Sequence, residues 1–131
     1  MGMKVKRFED LEIWIVAISL AKDIYKLTKS SSFRKDWGLS SQIQRAVVSI
    51  SANIVEGFER NNNNEFIRFL KIAKGSCGEV RNHLYIAREI GYISIEEFNS
   101  HHDKADELGK QIGGFIQYLV SKRKDGDFKK K

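Results

Sequence analysis

Six polar residues recur through an otherwise apolar run: Gln42, Arg45, Ser49, Asn53, Glu56 and Arg60. Their spacing is three or four residues, so on a helix they share one face. A hydroxyl, a carboxylate and two guanidinium groups in a row admit three uses. They could form an active site, contact nucleic acid, or pair with a neighbouring helix.

The rest of the chain offers catalysis little. His101 and His102 are adjacent, so on a helix they point about 100° apart and cannot share a metal. His83 stands alone, and no His-Glu-x-x-His or Glu-x-x-His pair is present. Asp103 and Glu107 flank the histidines as a solvated acidic face. Gly75-Ser76-Cys77-Gly78 lacks the Gly-Lys-Ser/Thr of a phosphate loop and falls in mid-helix. Close helix packing is the expected use of Gly75, Gly78, Gly109 and Gly113. Cys77 lies on an apolar row, as a buried structural thiol would. No catalytic residue, metal or cofactor is expected, and the chain reads as a non-enzyme.

The elements that carry these residues are helical. The 131 residues include no proline, which fits long helices with few loops. The first helix is expected over about Phe8 to Lys29, with Leu11, Trp14, Ile18, Ala21, Tyr25 and Thr28 on its apolar face. Ser41 with Gln44 reads as a capping box opening a second helix that runs to about Arg60. Asn62 with Glu65 opens the third, whose row is Phe66, Leu70, Ala73, Cys77, Val80, Leu84 and Ala87, with Gly91 as C-cap. Ser94 with Glu97 opens the fourth, with Phe98, Ala105, Leu108, Ile112, Phe115 and Leu119 in line. Short connections make sequential helices antiparallel. The expected fold is all-α, an up-down-up-down four-helix bundle in a single domain over 1–131.

Folding the third helix back about residue 62 sets Glu56 level with Arg68, Arg45 with Glu79, Gln42 with Asn82 and Ser49 with Gly75. The stripe then fixes the register of the hairpin. A buried pair that loses one partner costs about 3–5 kcal/mol; an exposed pair contributes about 0–1 kcal/mol. The second helix is apolar nearly all round, through Ile43, Ala46, Val47, Val48, Ile50, Ala52, Ile54, Val55 and Phe58. Such a helix needs cover on more than one side, which points to a neighbouring subunit.

The net charge of +6 is concentrated at the ends. Residues 1–7 carry +3 and residues 120–131 carry +4, leaving −1 between them. Residues 1–7 and 122–131 read as flexible basic tails. Within the middle, Arg45, Arg60, Arg68, Lys71, Lys74, Arg81 and Arg88 outnumber Glu56, Glu59, Glu65 and Glu79 by three. One basic face could track a phosphate backbone, with Arg45, Arg60, Arg68, Lys71 and Lys74 as contacts. No apolar run approaches the ~20 residues of a membrane span. The single cysteine and the lack of a signal-peptide pattern fit the cytoplasm.

The block GLSSQIQRAVVSISANIVEGFER, residues 38–60, followed by EFIRFLKIAKGSCGE, residues 65–79, resembles the signature of the 23S rRNA intervening-sequence proteins, also called the S23 ribosomal protein family. The likeness extends back to Leu11 and on to Gly91-Tyr92-Ile93. The resemblance implies a four-helix bundle that assembles as a homopentamer, with a link to rRNA by genomic origin. A related branch serves as accessory subunit to the reverse transcriptase of diversity-generating retroelements, so RNA or a nucleoprotein is the implied partner. A protein-binding scaffold is the alternative. No catalytic residue comes with the resemblance. Many relatives carry Pro where Ser51 stands here, so the second helix is expected to be straighter.

Overall fold

A computed structural model of the chain describes residues 5–30 and 32–122. The described residues form four α-helices: α1 Glu12–Thr28, α2 Trp37–Glu59, α3 Asn63–Glu89 and α4 Ile95–Ser121. Short 3-10 turns, Phe8–Asp10 and Phe33–Lys35, precede α1 and α2. Each helix packs against the next, and α1 also meets α4, so the four close into a bundle. α3 and α4 span 27 residues each, about 40 Å. Among the described residues, no helix is long and apolar enough to cross a membrane. Expected tail residues 1–4 and 123–131 lie outside the described part. Val5 leans on the core, and Arg7 pairs with Glu9 and Asp10 at 3.6 Å.

The helix starts follow cap chemistry. Asn62 accepts the Glu65 N–H at 3.0 Å and opens α3. Ser94 and Glu97 form the complete reciprocal box of α4. The start of α2 differs from the sequence reading. Asp36, not Ser41, is its N-cap and accepts the Leu39 N–H at 3.0 Å. The helix therefore opens at Trp37. The Tyr92 hydroxyl also donates to Asp36, at 2.9 Å, which braces the cap from the α3–α4 turn at the same end of the bundle. Gln44 does not reach back to a cap; its amide donates to Thr28 Oγ1 at 2.9 Å and ties α2 to α1. α2 runs unbroken through Ser51.

The α3 row is buried throughout, from Phe66 to Ala87. In α4, Phe115 is only half-buried and Ile116 takes its place in the core. The α1 row needs correcting. Leu11 and Thr28 of the expected row are buried, but between them the core side chains are Ile13, Ala17, Leu20, Ile24 and Leu27, whereas Ile18 and Tyr25 are exposed. α1 is apolar over more than half its circumference, so two rows repeat at helical spacing. The interior takes the aliphatic one and leaves Trp14 and Tyr25, with their polar tips, on the flank. α2 buries Ile43, Ala46, Val47, Ile50, Ile54 and Phe58 within the single chain, while Val48 remains 45% exposed.

α3 ends in a Schellman motif. Gly91 takes φ +82°, the Tyr92 N–H reaches the Ala87 carbonyl at 2.9 Å, and the Gly91 N–H reaches that of Arg88 at 3.1 Å. The closest helix approach is at Gly57, not at the glycines of α3 or α4. A Cβ there would stand 2.8 Å from Phe69 Cβ, 3.0 Å from the Phe66 ring and 3.2 Å from the Phe66 carbonyl oxygen. At Gly75 a Cβ would meet nothing within 4 Å. Overpacking costs about 1–3 kcal/mol, and Ala in place of an interior helical Gly returns about 1 kcal/mol. The blocking atoms at Gly57 are backbone and Cβ, so the clash wins there. Thermal unfolding is expected to rank Gly75→Ala above wild type and Gly57→Ala below it.

Candidate nucleic-acid interface

The turn between α2 and α3 is three residues long, and each has a physical role. Arg60 caps the end of α2. Asn61 adopts φ +58°, a left-handed conformation that asparagine tolerates better than most residues. Asn62 caps the start of α3. The asparagine run is thus the pivot of the hairpin.

Folding about this pivot aligns the polar stripe one residue further along α3 than the turn alone predicts. Ser49 meets Ser76 instead of Gly75, the two hydroxyls lying 2.9 Å apart. Gln42 meets His83 instead of Asn82, with 3.0 Å between the amide oxygen and Nε2. Asn53 donates to both the Ser49 carbonyl, at 2.8 Å, and its hydroxyl, at 3.0 Å. Asn53, Ser49 and the buried Ser76 form one hydrogen-bonded chain across the α2–α3 seam. Gln42, Ser49 and Asn53 are therefore structural links.

The expected charged pairs do not form. Glu56 bonds Arg60 within its own helix, at 2.9 Å, and Arg68 bonds Glu65 at 3.0 Å. Arg60 also lies 3.8 Å from Glu65. No ion pair joins Arg45 to Glu79 among the described residues. Local partners three or four residues away are nearer than any across the hairpin. These side chains are also wet: Arg60 is 45% and Glu56 54% exposed. Each pair then contributes about 0–1 kcal/mol, not the several of a buried pair.

Of the five candidate contacts, two are occupied. The Arg60 and Arg68 guanidinium groups both lie over the Phe69 ring, at 4.9 and 4.4 Å, with Glu56 and Glu65 beside them. Two cations and two anions there make a neutral cluster around an aromatic ring. Arg45, Lys71 and Lys74 are exposed and make no ion pair among the described residues. Arg45 borders a shallow groove with Tyr25, Ser41, Gln44, Val48 and Ser49. The stem of Lys74 lies along α4, its Cε 3.1 Å from where a Gly113 Cβ would stand.

Sequence reasoning missed two arrangements. The Lys104 ammonium donates to Ser19 at 2.6 Å and Asp23 at 2.7 Å, clasping α4 to α1. Tyr85, Phe98, His102 and Arg88 form an aromatic and cationic cluster between α3 and α4. Its signal was present as Tyr85 and Arg88 three apart, facing Phe98 and His102 four apart. Burial pushes the Cys77 thiol up to about 12, against the pull of Arg81 and Lys74, so it stays protonated and inert. Among the described residues, no three His, Cys, Asp or Glu side chains come together as metal ligands.

The family model for the 23S rRNA-intervening sequence protein matches residues 9–114, most of the chain. The chain belongs to that family. A solved structure from Bacteroides thetaiotaomicron VPI-5482, described as a protein with unknown function from the S23 ribosomal protein family, is similar at 27% identity. Its TM-score is 0.73, over 79% of this chain and 97% of that one. No curated protein matches. The family match spans the hairpin, its Asn pivot and all five candidate cations.

The Arg68–Glu65 contact carries a pH signature. The hydrogen bond from Arg68 holds the Glu65 carboxyl below its usual value of 4.5, aided by the Arg68 and Arg60 charges. A lowered folded value stabilises the protein above pH 4.5, and that increment disappears as pH falls through the folded value. Carbon-detected NMR titration should find Glu65 below the ordinary carboxylate range in wild type. In Arg68→Ala it should move up toward 4.5, with the helices intact.

Proposed function

We propose that this chain is a non-enzymatic bundle that binds RNA through a basic face centred on α3. The observation that carries the reading is the pair Lys71 and Lys74, two exposed ammonium groups one turn apart and without carboxylate partners among the described residues. The family's name ties it to an rRNA insertion, which supports RNA over other polyanions. Arg60 and Arg68 stay with their carboxylates and Phe69, and Arg45 contributes from α2 at most. Phosphate contacts by Lys and Arg release counterions, so affinity should fall steeply with salt. Filter binding of a structured rRNA fragment over a salt series is the test. Wild type should bind with salt-sensitive affinity, and Lys71→Glu/Lys74→Glu should lose most of it and flatten the salt slope. Salt-independent binding, or none, would sink the reading. Capture of a protein that survives nuclease treatment would favour the scaffold or accessory-subunit alternative.

We also infer that the chain self-associates, with the homopentamer of the family resemblance as the expected assembly. Ile15, Ile18, Tyr25 and Val48 leave apolar surface exposed on α1 and α2. That surface is narrower than the sequence implied, because α2 buries most of its apolar residues internally. Light scattering should report an oligomer that Ile18→Glu/Val48→Glu disperses. A stable wild-type monomer at micromolar concentration would contradict it.

A further inference from the structure

The seam between α3 and α4 gathers cations, one exposed aromatic ring and little bulk. Lys74 lies along Gly113. One helical turn or two onward, Arg81 reaches Asp106 at 3.8 Å, an acceptor shared with Lys110 at 3.3 Å. Arg81 Nε is buried without a hydrogen-bond partner among the described residues, and the side chain as a whole is 39% exposed. Next comes Tyr85, 43% exposed. Its ring is braced by the buried Phe98, centroids 4.8 Å apart, and by the edge of His102 at 5.2 Å. Arg88 completes the row, over Tyr85 at 5.1 Å and Phe98 at 4.5 Å. From Lys74 to Arg88 the row is about 21 Å long at 1.5 Å per residue.

The charge along the seam is positive. Lys71, Lys74, Arg81, Arg88 and Lys110 face Glu89, Asp103 and Asp106, leaving +2. The cations nearest α3's start, Lys71 and Lys74, have no ion pair among the described residues. At the other end the partly exposed Tyr85 ring lies beside the Arg88 guanidinium, which is 34% exposed and also bonds Glu89 at 2.9 Å.

We propose that this seam is a track for unpaired RNA, with phosphates on Lys71, Lys74 and Arg81 and a base stacked at Tyr85 and Arg88. The inference rests on the RNA reading above and adds the strand type and the route. A duplex keeps its base faces stacked on one another, so it can use the cations but not the ring. A single strand can turn a base onto Tyr85 while its backbone follows the lysines. The row of charge beside a stacking platform therefore discriminates between the two.

Fluorescence anisotropy separates the possibilities, using a short single-stranded RNA and an RNA hairpin stem of matching length. Wild type should prefer the single strand. Tyr85→Ala should weaken single-strand binding about tenfold or more, leave hairpin binding unchanged, and be rescued by Tyr85→Phe. Arg88→Ala gives a second readout on a half-buried side chain should Tyr85→Ala fold poorly, and helix content by circular dichroism distinguishes the cases. Salt-sensitive RNA binding with no strand preference, or with no loss in both Tyr85→Ala and Arg88→Ala, overturns this inference and leaves the RNA reading standing. Absence of salt-sensitive binding to either probe overturns both.

Discussion

At Gly57 the second helix lies against Phe66 and Phe69 with no room for a methyl group, and the rest of the bundle is built on that contact. The glycine sits two residues before the end of α2. It brings the backbone of α2 to the first turns of α3 just where the chain reverses. Asn61 then makes the left-handed step and Asn62 starts the next helix. With the turn fixed at three residues, the register of some forty residues follows. Ser49 arrives at Ser76 and Gln42 at His83, and the buried rows of both helices face each other. α4 returns along the other side of α3 after the Gly91 cap. α1 closes the ring, held to α2 by Gln44 and Thr28 and to α4 by Lys104, Asp23 and Ser19.

This arrangement sorts the charges. Near the pivot, local carboxylates reach Arg60 and Arg68 first, and Phe69 lies beneath both. Those arginines stiffen the end of the bundle and present little net field. Further along α3, Lys71 and Lys74 have no ion pair among the described residues, while Arg81 and Arg88 meet Asp106 and Glu89. α3 is thus a wall with two different sides. Toward α2 it is hydrogen-bonded and neutral, and toward α4 it carries cations and an exposed ring, opposite Gly109 and Gly113 of α4. A surface of that kind suits a flexible polyanion better than a compact substrate, because it is a row and not a pocket.

Much of the fold was legible because it rests on local signals. Asn62, Ser94 with Glu97, and Gly91 each announce a helix end by a side chain that can satisfy a particular orphan backbone group. The α3 row is legible because its flanking positions are polar, so only one face can go inside. α1 is not, because two of its rows are apolar and the choice depends on what α2 and α4 present to it. Ser41 and Gln44 resemble a cap, but Asp36 comes first in the chain and is supported by Tyr92, 56 residues away, which no local pattern reveals. Of the stripe, Gln42 and Ser49 do reach α3, but one residue beyond the expected partners, and Asn53 bonds Ser49 within α2. The ionic partners of Arg45, Glu56, Arg68 and Glu79 were not legible, since the sequence shows the level of a residue but not which acceptor lies nearer. Tyr85 carries no signal of its own and Arg88 counts only as charge, because their pairing depends on the partner helix.

The hairpin register is the claim on which both the seam and the sorting of charge depend, and cross-linking measures it directly. In a Cys77→Ala background, Ser49→Cys with Ser76→Cys places two thiols where hydroxyl oxygens stand 2.9 Å apart. Mild oxidation should close that disulfide rapidly within one chain, while Ser49→Cys with Gly75→Cys, one residue out of register, should remain reduced. Rapid closure of the Gly75 pair in preference to the Ser76 pair would contradict the register and, with it, the assignment of faces on α3.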